Sequence, residues 1–377
     1  MTYPLSPVLT GLAQYPFARL DAWRAEATAK GLAVIDFGVG DPREVTPSFI
    51  RDALAAGITE VSSYPRAAGL PPLRAAIGDW INHRFGVTVD ADREIVPTLG
   101  SKEAIFSFAQ VVTGERRVIA VPEPGYPVYE RGALFAGAAI QPVPLRKSTG
   151  WLPDLDAITN WDQLAAFWVC YPNNPTGAIA PLSFYEELAG KAAEHGFILC
   201  SDEAYSELWF DEPPVSALQV SDRSHVAVFN TLSKRSSMTG YRSGFVCASE
   251  PIANALRTYR PSVGTAPQEF VQRASVSAWR DESHVVDIRE VYRRKRATLL
   301  PALEAAGMRL AGSDATFFLW LAVDGSSEAY ARQLLESGLL VAPGAFFGPA
   351  GEGYVRIALV PTQEECERAA EILREVS

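Results

Sequence analysis

From about residue 94 to residue 250 the chain repeats one pattern: a short apolar run, a turn rich in Gly, Pro, Asn or Asp, and then a helical stretch. An apolar run without polar alternation is buried on both faces, and the helix after each run supplies the cover. The pattern therefore predicts an α/β fold with a mostly parallel sheet wrapped in helices. The unit after Asn173-Asn174-Pro175-Thr176-Gly177 is the clearest. Ser183-Phe184-Tyr185-Glu186 has capping-box spacing and predicts a helix start, and Gly196 is placed to end that helix before the apolar run Phe197-Ile198-Leu199-Cys200.

Ligands of open parallel sheets bind beyond the carboxyl ends of the strands. Three runs deliver polar groups there. Ala166 to Cys170 leads into Asn174, Phe197 to Cys200 into Asp202 and Tyr205, and Val226 to Phe229 into Thr231, Ser233 and Lys234.

After about residue 275 the pattern changes to a charged helical stretch through Arg289, Arg293, Arg294, Lys295 and Arg296, which reads as a solvated helix face joining two domains. Strand-like runs at Phe317 to Leu321 and Tyr354 to Ala358 follow, and Thr362-Gln363-Glu364-Glu365 predicts the cap of the last helix. A chain of 377 residues exceeds the size at which one core keeps growing. The expected division is a large domain over 48–275 and a smaller α+β domain built from 1–47 and 276–377.

The formal net charge of −10 gives no general attraction to phosphate backbones, so nucleic acid is excluded as a partner class. Cys170, Cys200, Cys247 and Cys366 form no Cys-x-x-Cys pair and read as reduced structural thiols. His83, His195, His225 and His284 are scattered, read as surface or capping residues, and offer neither metal-ligand spacing nor a Ser-His-Asp array. The start, Met1-Thr2-Tyr3-Pro4-Leu5-Ser6-Pro7, has no basic region followed by an apolar run, and no stretch approaches membrane-spanning length. The expectation is a cytoplasmic enzyme with no membrane partner and no metal.

Lys234, read with Asn174 and Asp202, resembles the site of a pyridoxal phosphate enzyme. That cofactor needs a lysine for its aldehyde, an acid for its pyridine nitrogen and an anion cradle for its phosphate. Lys234 would bind the aldehyde and later move a proton at the substrate's α carbon. Asp202, at a strand end, would keep the pyridine nitrogen protonated. Gly100-Ser101-Lys102 places a glycine, a hydroxyl and backbone amides at a helix start, and Ser233 and Arg242 add a hydroxyl and a guanidinium. Tyr126, in Pro124-Gly125-Tyr126-Pro127, would stack on the ring. Arg356 lies in an apolar strand, where an unpaired charge is costly, so it meets either a substrate carboxylate or an internal salt-bridge partner.

The chain resembles the class I and II aminotransferases, fold type I pyridoxal phosphate enzymes, over nearly its full length. The resemblance rests on Gly38-Val39-Gly40-Asp41-Pro42, Tyr64-Pro65 with Gly69, Gly100-Ser101-Lys102, Pro124 to Pro127, Asn173 to Gly177, Asp202 to Tyr205, Ser233-Lys234, Arg242 and Arg356, in family order. It implies a seven-stranded sheet in the large domain and the cofactor pyridoxal 5'-phosphate. Lys234 would carry the cofactor, Asp202 would contact the pyridine nitrogen, and Asn174 and Tyr205 would bond its phenolic oxygen. Ser101, Lys102, Thr231, Ser233 and Arg242 would hold the phosphate, while Tyr126 stacks. Gly38 and Asn174 would line the substrate site, and Arg356 would take the α-carboxylate. Tyr64 would reach the phosphate of a second subunit, implying a homodimer with shared sites.

Within the family, the run from Ser233 to Val246 and the run Gly100 to Gln110 are similar to the succinyldiaminopimelate aminotransferases. That likeness implies amino transfer between glutamate and N-succinyl-2-amino-6-oxopimelate, with Arg19, Arg43, Arg66 and Lys102 as candidates for distal carboxylates. Aspartate, alanine and aromatic aminotransferases would use the same cofactor residues. Two readings of other classes are a nicotinamide dehydrogenase and a noncatalytic cofactor-binding regulator. For the first, Val34 to Phe37 runs into Gly38-Val39-Gly40, but Arg43 stands where the fingerprint needs its third glycine.

Overall fold

The computed structural model describes residues 3–12 and 14–375; the first two residues of the stretch read for a leader lie outside the described residues. The main sheet has seven strands in the order Ile95–Thr98, Gly244–Ala248, Val226–Thr231, Ile198–Asp202, Leu164–Cys170, Val118–Glu123 and Ala139–Pro144. Only Gly244–Ala248 runs against its neighbours. This is the mostly parallel, helix-covered sheet that the sequence pattern predicts, with the seven strands that the resemblance implies.

Burial on both faces is plain in the central strand. Every residue of Leu164–Cys170 is buried, with Ala166, Trp168 and Cys170 packing into one core and Phe167 and Val169 into the other. The period of two sends alternate side chains to opposite faces, and helices such as Gly100–Val112 and Leu182–His195 cover them. Parallel register sets Cys170 beside Asp202 and Asp202 beside Phe229, so the strand ends form one polar edge.

A second, four-stranded antiparallel sheet has the order Ala342–Pro343, Tyr354–Ala358, Phe318–Ala322, Arg309–Gly312. Ile35–Asp36 pairs in parallel with Leu339–Leu340, which brings an early segment against a late one. The backbone after this strand continues without a helix until Ser48–Ala56, so Gly38-Val39-Gly40 does not open a helix as a dinucleotide fold requires.

Three local expectations need correction. Ser183 does not cap its helix: the helix Leu182–His195 begins after Pro181, which places Ser183 inside the first turn, and Glu186 instead accepts from the Ser221 backbone N–H and hydroxyl, both at 2.9 Å. Gly196 does end that helix, with φ 73°. Lys295 is not on a solvated face; it is buried in the helix Ser283–Ala305 and ion-paired with Glu44. His284, in the first turn of that helix, is buried rather than exposed. The reciprocal bonds between Thr362 and Glu365 do form the predicted cap of the last helix. Among the described residues no helix is long and apolar enough to cross a membrane, and no cluster of three or more His, Cys, Asp or Glu is placed to hold a metal.

Candidate active site

A cavity of about 380 Å³ opens at the carboxyl edge of the main sheet. Its lining gathers Ser101, Lys102, Tyr126, Asn174, Asp202, Tyr205, Thr231, Ser233, Lys234, Arg242 and Arg356 from seven separate segments. Gly38 does not line it directly, but its carbonyl accepts from Arg356 Nη2 at 2.7 Å. Tyr64 stands apart, fully exposed to solvent.

Lys234 sits in the short helix Leu232–Arg235, immediately after the strand Val226–Thr231. Its Nζ donates to the Gly40 carbonyl at 2.6 Å. Burial pushes its amine down to about 8, against the opposing pull of the Asp41 carboxylate. An amine in that range has a sizeable neutral fraction near neutral pH, which a nucleophile or general base requires.

Asp202 ends its strand with one oxygen accepting from the Ala204 N–H at 3.2 Å and the other from the Tyr129 hydroxyl at 2.7 Å. Burial raises its carboxyl to about 6, while the Tyr129 bond favours the charged form. Tyr129 is itself buried and stacked on Trp168 at 5.0 Å.

The cation-rich end of the cavity fits a phosphate. Gly100 opens the helix Gly100–Val112 with φ +71°, and a Cβ there would come within 2.7 Å of the Arg242 guanidinium, so glycine is what lets Arg242 lie against the helix start. Arg242 donates only to the Thr239 and Leu99 carbonyls, at 2.7 and 3.2 Å, and among the described residues no carboxylate pairs with it. The hydroxyls of Thr231 and Ser233 bond each other at 3.0 Å beside it. Lys102 is held over the Tyr15 ring, and burial together with Arg242 and Arg131 lowers its ammonium pKa. Cations without a paired carboxylate, neighbouring hydroxyls and helix-start amides are the donor set a phosphate dianion requires.

Arg356 decides between its two readings. Its Nη1 donates to Asn174 Oδ1 at 2.9 Å and its Nη2 to Gly38, and among the described residues its Nε has no partner and no carboxylate forms a salt bridge with it. Phe318, Phe347 and Phe17 pack around it at 4.2, 4.7 and 5.4 Å. Burial brings the guanidinium down to about 10.

Of the distal-carboxylate candidates only Lys102 lines the cavity. Arg19 is paired with Glu328 and Arg43 with Glu365, while Arg66 lies exposed. Sequence reasoning missed Tyr15, Phe17, Asp41, Tyr129 and Phe318. The spacing Tyr126-x-x-Tyr129 across the start of the helix Val128–Phe135 was the available signal for Tyr129, and the motif Gly38 to Pro42 was the signal for Asp41; Tyr15, Phe17 and Phe318 come from segments with no local chemistry to mark them.

A family model, Aminotransferase class I and II, matches residues 33–373. An LL-diaminopimelate aminotransferase of Maridesulfovibrio salexigens is 37% identical over 378 residues, covering 97% of each chain. One of Aquifex aeolicus is 38% identical over 381 residues, covering 98% of each. An aminotransferase crystal structure from Neisseria meningitidis is similar at 38% identity with a TM-score of 0.91, covering 99% of this chain and 100% of that one. These findings overturn the resemblance to succinyldiaminopimelate aminotransferases. The near-full-length relatives at 35–38% identity are named for LL-diaminopimelate, whereas a Thermus thermophilus structure described as a probable N-succinyldiaminopimelate aminotransferase stands at 29% identity, with a TM-score of 0.89, over 96% of this chain and 100% of that one. The runs around Lys234 and Gly100 line the end of the cavity suited to a phosphate, and residues suited to a shared phosphate do not discriminate between substrates. The chain belongs to the class I and II aminotransferases and is a pyridoxal phosphate-dependent transaminase of fold type I.

Proposed function

We propose that this transaminase takes the amino group from LL-diaminopimelate, or a closely similar diamino dicarboxylate, and passes it to a 2-oxo acid. The reading of the substrate is supported by the names of the relatives. The observation that carries the placement of the α-carboxylate is Arg356: a buried guanidinium that lines the same cavity as Lys234 and has no carboxylate of its own. A forked guanidinium suits two-point contact with a carboxylate, and Asn174 and the Gly38 carbonyl fix its plane.

The roles follow from position. Ser101, Lys102, Thr231, Ser233 and Arg242 would hold the cofactor's phosphate, Asp202 its pyridine nitrogen, Asn174 and Tyr205 its phenolic oxygen, Tyr126 its ring face and Lys234 its aldehyde. Pyridoxal phosphate, when bound, supplies an electron sink for the pair left at the substrate's α carbon. Lys234 removes and returns the proton at that carbon, its burial keeping part of the amine neutral. Tyr129 and Ala204 hold the Asp202 carboxyl in one place, where it would keep the cofactor's ring nitrogen protonated. Phe17 and Phe318 exclude water around the Arg356 fork.

We read residues 48–275 as the cofactor-binding domain and 1–47 with 276–377 as the smaller one, a division supported by the strand pair that joins Ile35–Asp36 to Leu339–Leu340. We also infer a homodimer, in which Tyr64, fully exposed on one chain, would meet the phosphate of its partner.

The test is the formation of glutamate from LL-diaminopimelate and 2-oxoglutarate by the cofactor-loaded protein. Turnover of aspartate or alanine with none of LL-diaminopimelate would discard the substrate and keep the reaction class. Lys234→Ala should bind the cofactor without the covalent link and without its visible absorbance, and should show almost no turnover; substantial residual transamination would overturn the assignment of Lys234.

A further inference from the structure

The turn that follows Lys234 is held by a buried side-chain array that the chemistry above leaves unused. His284 Nδ1 lies 2.6 Å from Asp281 Oδ1, and His284 Nε2 lies 2.8 Å from Ser236 Oγ. An ionised Asp281 can only accept, so Nδ1 carries the hydrogen and Nε2 accepts from the Ser236 hydroxyl. The order Ser-His-Asp is that of a hydrolase nucleophile, but Ser236 is fully buried, and it lines neither the active-site cavity nor the adjoining one beneath Ser237 and Thr239. With no route for a substrate, the array is not a second active site.

Its place in the chain gives it another use. Each of the three residues after Lys234 is tied to a different anchor. Arg235 donates to the carbonyls of Ala278 and Asp281 at 2.7 and 3.2 Å and pairs with Glu282, its guanidinium lying between Trp279 and Trp80. Ser236 is bound to His284 in the first turn of the helix Ser283–Ala305. Ser237 stands at φ 50°, an unfavourable backbone for serine, and its carbonyl accepts from Thr46 Oγ1 at 2.6 Å. Strained backbone persists only where the surroundings over-determine it. The Phe49 ring covers His284 edge-on at 5.5 Å.

We propose that Ser236, His284 and Asp281 form a positioning relay that fixes the turn from which the Lys234 amine acts and links that turn to the helix Ser283–Ala305. The relay rests on the reading of Lys234 as the catalytic amine. His284 and Ser236 are positioning residues, because they act through the backbone of Lys234 and touch neither substrate nor cofactor. The same helix carries Lys295, paired with Glu44 only four residues beyond Gly40, whose carbonyl receives the Lys234 amine. Both the backbone and the tip of Lys234 are thus referenced to one helix.

The experiment compares cofactor-loaded wild type with Ser236→Ala, His284→Gln, the double variant and Lys234→Ala, reading kcat, KM, melting temperature and the pH midpoint of the lysine-bound cofactor's visible absorbance without substrate. A reacting group displaced by a fraction of an ångström loses much of its rate, so each single variant should show kcat roughly 10-fold lower with KM within about twofold. The absorbance midpoint should move by roughly half a pH unit, and the double variant should be no worse than the poorer single one. A lowered melting temperature with unchanged kcat and midpoint would reduce the array to packing and overturn the relay. Should His284→Gln fail to fold, Ser236→Ala, which deletes one oxygen, decides by the same readouts. Covalent cofactor in Lys234→Ala would overturn both the relay and the reading beneath it, whereas an inert Lys234→Ala beside wild-type behaviour in the other variants would overturn the relay alone.

Discussion

Arg235 and Arg356 are both buried guanidiniums set among aromatic rings, and they are handled in opposite ways. Around Arg235 the protein supplies the counter-charge itself, with the Glu282 carboxylate, two carbonyls and two indole rings, although its Nε, like that of Arg356, has no partner among the described residues. Around Arg356 it supplies one amide oxygen, one carbonyl and three phenyl rings, but no carboxylate. A buried charge without a counter-charge is destabilising in isolation. The difference supports the place proposed for the ligand: the arginine left incomplete, without a carboxylate, lines the cavity, and the charge-paired one does not.

Breaking the incomplete side should give the largest effect. Arg356→Met should lower kcat/KM roughly 1,000-fold, corresponding to about 4 kcal/mol of lost charge-assisted binding. Its melting temperature should hold or rise, since an uncompensated charge has left the interior. A melting temperature that falls with activity retained would mean that Arg356 is structural after all. The converse holds for Arg235→Met, which should destabilise the fold by about 3 kcal/mol in denaturant titrations, because Glu282 and two carbonyls lose their donor.

Lys234 sharpens the comparison, as the neighbour of Arg235 that points the other way. Its amine, held down to about 8, is mostly charged at pH 7 and mostly neutral at pH 9. Covalent capture of pyridoxal phosphate by the cofactor-free protein should therefore quicken about tenfold across that interval, levelling above it. A flat profile would remove the amine from the reaction.

Glu203 shows a third solution, in which the charge is given up. It is fully buried, with Oε1 accepting from the Ser201 hydroxyl and the Ala217 N–H and Oε2 unpartnered, and burial lifts its carboxyl to about 7. A folded-state value above the ordinary 4.5 means its contribution to stability is fully present below 4.5 and is lost as pH rises through 7. Glu203→Gln should gain on wild type by about 2–3 kcal/mol between pH 5 and pH 9, as read from thermal unfolding at the two pH values.

How much of this was legible in sequence depended on distance along the chain. Asn174, Asp202 and Lys234 each stand just after an apolar run, so a parallel sheet necessarily gathers them at one edge. Tyr15, Phe17 and Phe318 carry no such mark, because they reach the cavity only once two remote segments fold over it. Lys295 read as solvated since a charge run on a helix normally is, and its partner Glu44 is 251 residues away. The Ser236 relay was invisible for the same reason, with His284 lying 48 residues on. Ser183 misled through a purely local competition, Pro181 having started the helix before it.

The pairing of Ile35–Asp36 with Leu339–Leu340 also sets an order of events at the ribosome. All seven strands of the main sheet have been synthesised once residue 248 emerges, and with them Lys234, Asp202 and Arg242. The Gly38 carbonyl must wait for Arg356, 318 positions later, before the fork proposed to receive a carboxylate exists. A nascent chain therefore has the main-sheet side of the cavity in hand before the contact between Arg356 and Gly38 can form, and late contacts of such long separation are slow to close.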